Sequence, residues 1–373
     1  MKYNVCIFLF SETLNLIIIM IRNYSIVLVC LISVFFSCSS DSTKQEPTPI
    51  YDNSFILSYE GDKTVVGHLD ESQVFTPNVY ESLNKNSISF TNFENSLFIV
   101  SQDGPNFVTK LNLKDLAEEV TVTTSKVSSP SYLAMYSETD GVIISTGGRG
   151  RRRTYDLSFF NVSEGVKDKI DGVSSKVLFS KSGVLVDGEN ILIADDKELK
   201  VLNIKDKSIK TTVIFDDVIS GILKDKNNKI WIGTEKRVGD AKFVSLTTDY
   251  GIDETVTLIG VNLYKNSMLS VSESSSYVYW SEVSTGVIHR FNTETKKAEE
   301  FINPTTEGIM LTTVIREHPI TGKVYVLGAE DFFDTDKSIL TIYNEDKSVF
   351  KTVKGIGNSP IDIFFSKEDF SVN

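Results

Sequence analysis

A run of arginines is the densest group of chemically capable side chains in this sequence. Residues 147 to 153 read GGRGRRR, while the whole chain has a formal net charge of -12 at pH 7. Neighbouring cations repel one another unless an anion or an acidic partner neutralises them. A guanidinium binds carboxylate and phosphate groups through paired hydrogen bonds. The run therefore predicts a binding surface for an anionic ligand or an acidic partner, and its candidate residues are Arg149, Arg151, Arg152 and Arg153.

Other candidate binding residues lie in segments that are long for turns or next to them. They are Lys236 and Arg237 in residues 235 to 241, Phe332 and Phe333 in residues 329 to 337, and Tyr264 and Trp280 as stacking partners. Aromatic faces of this kind cover flat or apolar ligands. The alternative interpretation is that these are solvated loop residues and core aromatics, above all Trp280, which closes an apolar run.

Patterns typical of catalysis are absent from the sequence. The three histidines, His68, His289 and His318, are far apart in the chain, so their spacing predicts neither a zinc site nor a general base with its partner. No HExxH, GxSxG or P-loop motif occurs. We therefore expect no catalytic residue, no resident metal and no cofactor, although catalytic residues can also converge only in space.

Three aspartates form the one candidate cation site in the sequence, and they are Asp331, Asp334 and Asp336. Carboxylate oxygens are the ligands that Ca²⁺ prefers, but this segment lacks the glycine and the distal glutamate of an EF-hand loop. Solvated carboxylates are the favoured interpretation, with a bound calcium ion as the alternative.

The elements that must position these residues form a repeat. Apolar residues alternate along seven short runs whose starts lie 39 to 49 residues apart. Short strands with such a period are typical of a β-propeller, in which each repeat is one four-stranded blade. The sequence therefore predicts an all-β fold, a seven-bladed β-propeller. The runs are Ser54–Ser58, Ser96–Val100, Gly141–Ser145, Asn190–Ala194, Lys229–Gly233, Ser276–Trp280 and Lys323–Leu327.

A second repeated feature follows each run. The last apolar residue of the next predicted strand is followed by Asp, Asn or Thr, at Asp70, Asn112, Asn161, Asn203, Thr247, Asn292 and Asn344. Asn and Asp bond their own downstream backbone amides and tolerate left-handed backbone angles. We expect these residues to form the turn between the third and fourth strands of each blade.

The repeat is incomplete at both ends of the chain. Residues 54 to 80 contain three predicted strands, and Pro360–Ser366, with the sequence PIDIFFS, contains one. We expect the C-terminal strand to become the innermost strand of the N-terminal blade, which closes the ring and removes exposed strand edges. The loops from second to third strands share one face with the connections between blades, and insertions on one face of a repeat protein mark its binding surface.

The first residues have the pattern of a lipoprotein signal peptide. Arg22 precedes the apolar stretch Ile26–Phe36, which is shorter than a membrane span. A small residue, Ser37, then precedes Cys38, as in the lipobox cut by lipoprotein signal peptidase. An ordinary signal peptide and a membrane anchor are the alternatives. The expected organisation is a signal peptide at residues 1–37 with Met20 as an alternative start, a lipidated Cys38 opening a flexible tether at residues 38–50, and the propeller at residues 51–373.

Blade motifs near the C-terminus resemble a known family. The segments WSEVSTGVIHRFNTETKKAEEF, HPITGKVYVLGAEDF and ILTIYNEDKSVFKTVKGIGNSPIDIFF lie in the last 110 residues. They are similar to the YncE-like propellers of Bacteroidetes surface lipoproteins, in particular the group with the domain DUF5074. Some members of this wider group sit on TonB-dependent transporters and capture corrinoids such as vitamin B12. The resemblance carries no ligand-contacting residue over to this chain.

Three functions of different classes follow from these observations. The first is a non-enzymatic, lipid-anchored propeller of the outer membrane that captures a corrinoid or other scarce nutrient for a TonB-dependent transporter. The second is a scaffold for protein partners at the cell envelope, and the third is an enzyme of lactonase or lyase type. The acidic composition argues against nucleic-acid binding. We expect the cell surface as location, with the periplasmic face of the outer membrane as the alternative.

Overall fold

The computed structural model describes residues 53–61, 63–123, 129–147, 154–264, 269–271, 275–331, 334, 337–368 and 370. These residues form 28 strands. In chain order they are β1 (Asn53–Glu60), β2 (Lys63–Leu69), β3 (Phe75–Ser82), β4 (Lys85–Phe93), β5 (Ser96–Asp103), β6 (Val108–Asn112), β7 (Glu118–Val122), β8 (Pro130–Met135), β9 (Asp140–Gly147), β10 (Thr154–Asn161), β11 (Gly165–Lys169), β12 (Val184–Asp187), β13 (Asn190–Asp195) and β14 (Glu198–Asn203). The remaining strands are β15 (Ser208–Ile214), β16 (Ile219–Lys224), β17 (Ile230–Thr234), β18 (Lys242–Leu246), β19 (Ile252–Thr257), β20 (Ser270–Val271), β21 (Tyr277–Ser281), β22 (Ile288–Asn292), β23 (Lys297–Ile302), β24 (Leu311–Glu317), β25 (Val324–Ala329), β26 (Ser338–Tyr343), β27 (Val349–Lys354) and β28 (Asn358–Ser366).

The strands form seven antiparallel sheets of four strands each, which are the seven predicted blades. Six sheets are consecutive in the chain, from β4–β7 to β24–β27, and the seventh has the order β28-β1-β2-β3. In this last blade, β28 pairs with β1 from Asn53↔Ser366 to Tyr59↔Asn358. The prediction that the C-terminal strand closes the N-terminal blade is therefore confirmed.

The innermost strands form a closed ring around the axis. Each of β4, β8, β12, β16, β20, β24 and β28 contacts the next, and β28 contacts β4 again. The outermost strands are largely exposed, as in β19 and β27. The strands between them are almost fully buried because their alternating apolar residues face both neighbouring blades.

The predicted turn residues lie where the third strand of a blade ends. Asn161 Oδ1 accepts hydrogen bonds from the backbone N–H groups of Ser163 and Glu164, at 2.9 and 3.2 Å. Asn292 Oδ1 accepts in the same way from Glu294 at 2.9 Å and from the following residue at 2.8 Å. These side chains fix the turn into the fourth strand and are not ligands.

The blade topology gives the ring two different faces. The upper face, as we call it, carries the loops from second to third strands and the connections between blades. The lower face carries the remaining turns. In the part of the chain that the structure covers, no helix is long and apolar enough to cross a membrane.

Candidate ligand-binding site

Three described cavities lie along the propeller axis and form a channel. The upper cavity has a volume of about 350 Å³, and a second cavity of about 750 Å³ and a lower cavity of about 370 Å³ extend from it toward the lower face. Lys181 and Arg316 line all three cavities. The middle of the channel is therefore a place where two cations meet, in a protein with a strongly negative net charge.

The connection between β11 and β12 positions Lys181. Residues Lys181–Gly183 form a short 3-10 helix at the upper face, closed by a hydrogen bond of 2.8 Å from Gly183 N to Ser180 O. A Cβ atom at Gly183 would lie 2.1 Å from the carbonyl oxygen of Leu178. Only glycine allows this close approach, and Lys181 lies two residues before it in the same turn.

Two innermost strands supply the partners of Lys181. Arg316 near the end of β24 donates from Nη2 to Asp362 Oδ1 of β28 at 3.0 Å and from Nη1 to the carbonyl oxygen of Ile315 at 2.9 Å. Asp362 Oδ1 also accepts from the N–H of Ile363 at 3.0 Å. Lys181 Nζ lies 3.5 Å from Asp362 Oδ2. One carboxylate thus stands between two cations.

Exposure differs sharply within this trio, which we call the axial trio. The side chain of Asp362 is 6% accessible, whereas those of Arg316 and Lys181 are 20% and 43% accessible. That accessible surface faces the cavities that the two residues line. Burial therefore lowers the pKa of Lys181, Asp362 opposes the shift, and Arg316 adds to it. The charge presented to the channel is positive.

Aromatic side chains line the upper cavity above and beside the trio. Tyr155 and Phe179 stack with ring centroids 4.5 Å apart and planes 9° from parallel, and both are half-buried. Tyr132 of β8 forms part of the wall, and its burial raises its pKa to about 12, so the phenol is neutral. The upper cavity thus combines aromatic walls with a cationic floor.

The lower cavity has a more acidic lining than the upper one. Glu94, Glu317 and Glu368 line it and balance the three cations Lys181, Arg316 and Lys367. Glu317 is buried and accepts a hydrogen bond from Ser275 Oγ at 2.8 Å. The excess of positive charge therefore lies on the side of the upper cavity, where Asp362 is the one acidic residue of the described lining.

The structure brings three of the predicted binding residues together on the upper face. Lys236 pairs with Leu263 through backbone hydrogen bonds of 2.7 and 2.9 Å, which join the loop after β17 to the loop after β19. Tyr264 Oη donates to the carbonyl oxygen of Arg237 at 3.4 Å. Arg237 is 76% exposed and pairs with Glu235 at 2.8 Å. None of these three residues is among those that line the described axial cavities.

The structure contradicts the prediction that Trp280 is a stacking partner for a ligand. Its indole is completely buried, stacks on His289 at 5.5 Å and lies 5.8 Å from Phe243 in the core between two blades. It cannot stack on a ligand without unpacking that core. The alternation that identified its strand also placed its side chain on the buried side.

Seven other predicted residues lie outside the described part of the chain, namely Cys38, Arg149, Arg151, Arg152, Arg153, Phe332 and Phe333. The strand ends on either side of the arginine run are described. Thr146 and Tyr155 are paired across β9 and β10 and line the upper cavity.

The predicted calcium site at Asp331, Asp334 and Asp336 is described only in part, because Asp336 lies outside the described residues. Asp334 forms an ion pair with Lys337 at 2.8 Å. Within the described ranges, no group of three or more His, Cys, Asp or Glu side chains is arranged to hold a metal ion. A calcium ion at these aspartates stays a prediction.

Sequence reasoning missed the axial trio and the aromatic pair above it. Lys181, Arg316 and Asp362 come from three different blades, and no short motif joins them. The places of these residues in the repeat could have identified them. Lys181 lies in a connection to an innermost strand, and Arg316 and Asp362 lie within innermost strands. A prediction of which strands face the axis would have selected them.

The fold and the channel define the class of this protein as a seven-bladed β-propeller with a charged axial channel. Residues 54–364 match the family model described as "Domain of unknown function (DUF5074)". The chain belongs to this family, as the C-terminal blade motifs predicted. No curated protein matches the chain.

Solved structures with similar folds support the architecture alone. One is a "Quinonprotein alcohol dehydrogenase-like protein" from Bacteroides thetaiotaomicron, with a TM-score of 0.63 and 15% identity over 84% of this chain and 78% of that one. Another is the periplasmic gluconolactonase of Pseudomonas aeruginosa, with a TM-score of 0.62 and 11% identity over 84% of this chain and 98% of that one. At such identities the likeness is one of fold.

Proposed function

We propose that this protein binds a small organic ligand in the upper cavity of its axial channel and releases it without chemical change. The observation that carries this proposal is the combination of aromatic walls, Tyr132, Tyr155 and Phe179, with the cations Lys181 and Arg316 at one cavity. A cavity of about 350 Å³ is within the range that holds small ligands, and a few convergent polar groups on apolar walls are typical of such sites.

A blocked channel tests this proposal. Thr313 lines the upper cavity, so Thr313→Trp should fill part of it, whereas Thr255→Trp changes an exposed residue of the outer strand β19. Calorimetry of the full-length protein with cobalamin, haem and oligosaccharides, each of which can place one of its substituents or ends in a cavity of this size, should show binding that the first variant loses and the second keeps. The ligand recovered afterwards should have an unchanged mass. If no ligand in this panel binds more tightly than millimolar, the proposal fails.

We further propose that the protein acts in the outer membrane, anchored by lipid at Cys38, and passes a scarce nutrient such as a corrinoid to a TonB-dependent transporter. The support is the lipobox-like sequence before Cys38 and the polar tether after it. The variant Cys38→Ala should shift the protein from the membrane fraction to the soluble fraction, or leave it unprocessed. Membrane association unchanged in this variant would contradict the anchor, and failure to co-purify a transporter from wild-type membranes would contradict the transport role.

The exposed loop pair supports a second candidate function, a scaffold for protein partners. Val238 and Ile259, on the two paired loops, are 85% and 86% exposed beside Lys236 and Arg237. Replacing both apolar residues with Asp should abolish recovery of a partner from solubilised membranes while small-ligand titrations stay unchanged. Unchanged partner recovery would exclude this surface.

A further inference from the structure

We propose that the axial trio is an anion site: the carboxylate or phosphate group of a ligand binds between Lys181 Nζ and the guanidinium of Arg316, having entered from the upper face. This inference rests on the proposed function and specifies the chemical class of the ligand.

The axial trio has one more positive charge than negative charge. Two cations share the single carboxylate of Asp362, and that carboxylate is almost fully covered while both cations reach the channel. Cations that are kept in a narrow channel with an incomplete set of counter-charges attract an anion.

The existing contact between Lys181 and Asp362 leaves Lys181 able to bind another oxygen. The distance of 3.5 Å between Lys181 Nζ and Asp362 Oδ2 is longer than the ~2.7–2.9 Å of a strong charge-assisted hydrogen bond. Asp362 Oδ1 already accepts from Arg316 and from the N–H of Ile363. An ammonium group has three donors, so Lys181 can bind a second oxygen without leaving Asp362.

The charge of the channel lining favours entry of an anion from above. Within the described lining of the upper cavity, Lys181 and Arg316 stand against one acidic residue, Asp362. In the lower cavity the same two cations and Lys367 are balanced by three carboxylates, those of Glu94, Glu317 and Glu368. The apolar part of a ligand held at the trio from above lies beside Tyr155 and Phe179, which stack at the upper cavity.

The test uses benzoate and phenyl phosphate as anionic probes, with benzamide as the neutral control of similar shape. Each is titrated into the full-length protein by calorimetry. We expect one or both anions to bind at least about tenfold more tightly than benzamide, because a hydrogen bond to a charged group is worth roughly that factor. A preference for one of them tells a carboxylate site from a phosphate site.

Variants of Lys181 link that preference to the trio. Lys181→Gln leaves the Arg316–Asp362 pair in place and should weaken anion binding by about tenfold or more, while Lys181→Arg, which keeps the charge, should bind within a few-fold of wild type. Lys176→Gln is the matched control, because Lys176 lies in the same connection but at the surface, beside Asp196.

Three results would overturn the inference. They are anion binding that Lys181→Gln does not weaken, benzamide binding as tightly as the anions, and an absence of anion binding. Each of them leaves the proposed function standing if a ligand of the panel of cobalamin, haem and oligosaccharides still binds and Thr313→Trp still blocks that binding. Thermal unfolding of every variant near the wild-type temperature confirms that the loss is local.

Discussion

At the scale of single residues, Lys181 is the most informative position in the molecule. Its pKa lies below the usual 10.5 because the channel desolvates the ammonium group, even though the carboxylate of Asp362 is close. Desolvation of the Lys181 ammonium group lowers the free energy of unfolding, and an anion bound beside that group offsets the cost. Lys181 therefore links the stability of the propeller to its ligand.

The pH dependence of binding and of stability should have opposite signs. As pH rises toward 10.5, Lys181 loses its proton before an unfolded lysine does, so anion affinity should fall. The unfolded chain binds more protons than the folded one in that range, so this group makes unfolding free energy rise with pH. Among its neighbours, Tyr132 stays neutral with a pKa of about 12, and the other charged groups beside Lys181 are Asp362 and Arg316.

Titration of anion affinity between pH 7 and pH 10.5, in wild type and in Lys181→Gln, measures this effect. The wild-type affinity should fall across the range and the variant's should stay flat. Equal slopes in the two proteins would assign the pH dependence to another group.

Residue-scale predictions from sequence had mixed success for a physical reason. Local patterns identify turn formers such as Asn161, because the bonds of their side chains are local. Trp280 was proposed as a stacking partner with a core aromatic as the alternative, and the structure supports the alternative because the indole is completely buried. Lys181 had no local signature at all, because its partner Asp362 is 181 residues away in the chain.

At the scale of the strands, backbone approach limits which residues the blades accept. In β25, a Cβ atom at Gly328 would lie 2.1 Å from the carbonyl oxygen of Leu311 and 2.6 Å from Ile309 Cγ2. The paired strand β24 has a register shift at this level, between Thr312 and Val314. Glycine is therefore required where β24 approaches β25 most closely.

The variant Gly328→Ala should lower the free energy of unfolding by about 1–3 kcal/mol, as overpacking of a filled core does. Denaturant unfolding measures this directly. Gly251→Ala is the control, since its nearest neighbour is a side-chain oxygen at 3.2 Å. Equal effects of the two substitutions would show that the close approach in β25 is not the cause.

The second strand of every blade could be predicted from sequence. All seven alternating runs coincide with strands to within one residue at their starts, and β9, β17 and β25 end where long loops were expected. This succeeded because each blade buries both faces of its middle strands, which leaves a strong periodic pattern in every repeat. The pairing of the loops through Lys236 and Leu263 was not predictable, because it depends on the spacing of neighbouring connections.

At the scale of the whole molecule, the strand that closes the ring also supplies a residue of the axial trio. The C-terminal strand β28 supplies the innermost strand of the last blade and also Asp362, which pairs with Arg316 of the preceding blade. The axial trio exists only when the ring is closed. A variant whose ring does not close should therefore also lose ligand binding.

Deletion of residues 360–373 removes most of β28 and should abolish cooperative unfolding and anion binding together, because β1 loses its inner neighbour. Thermal unfolding followed by circular dichroism is the measurement, with deletion of residues 371–373 alone as the control. A truncated protein with the wild-type melting transition would contradict the closing role of β28.

The most direct test of the account is a crystal structure of the full-length protein with phenyl phosphate or benzoate at saturating concentration. We predict that the anionic group lies in the axial channel, within hydrogen-bond distance of both Lys181 Nζ and the Arg316 guanidinium, with its ring toward Tyr155 and Phe179. Density for the ligand at the lower end of the channel or on the outer surface, with the axial trio unoccupied, would contradict it.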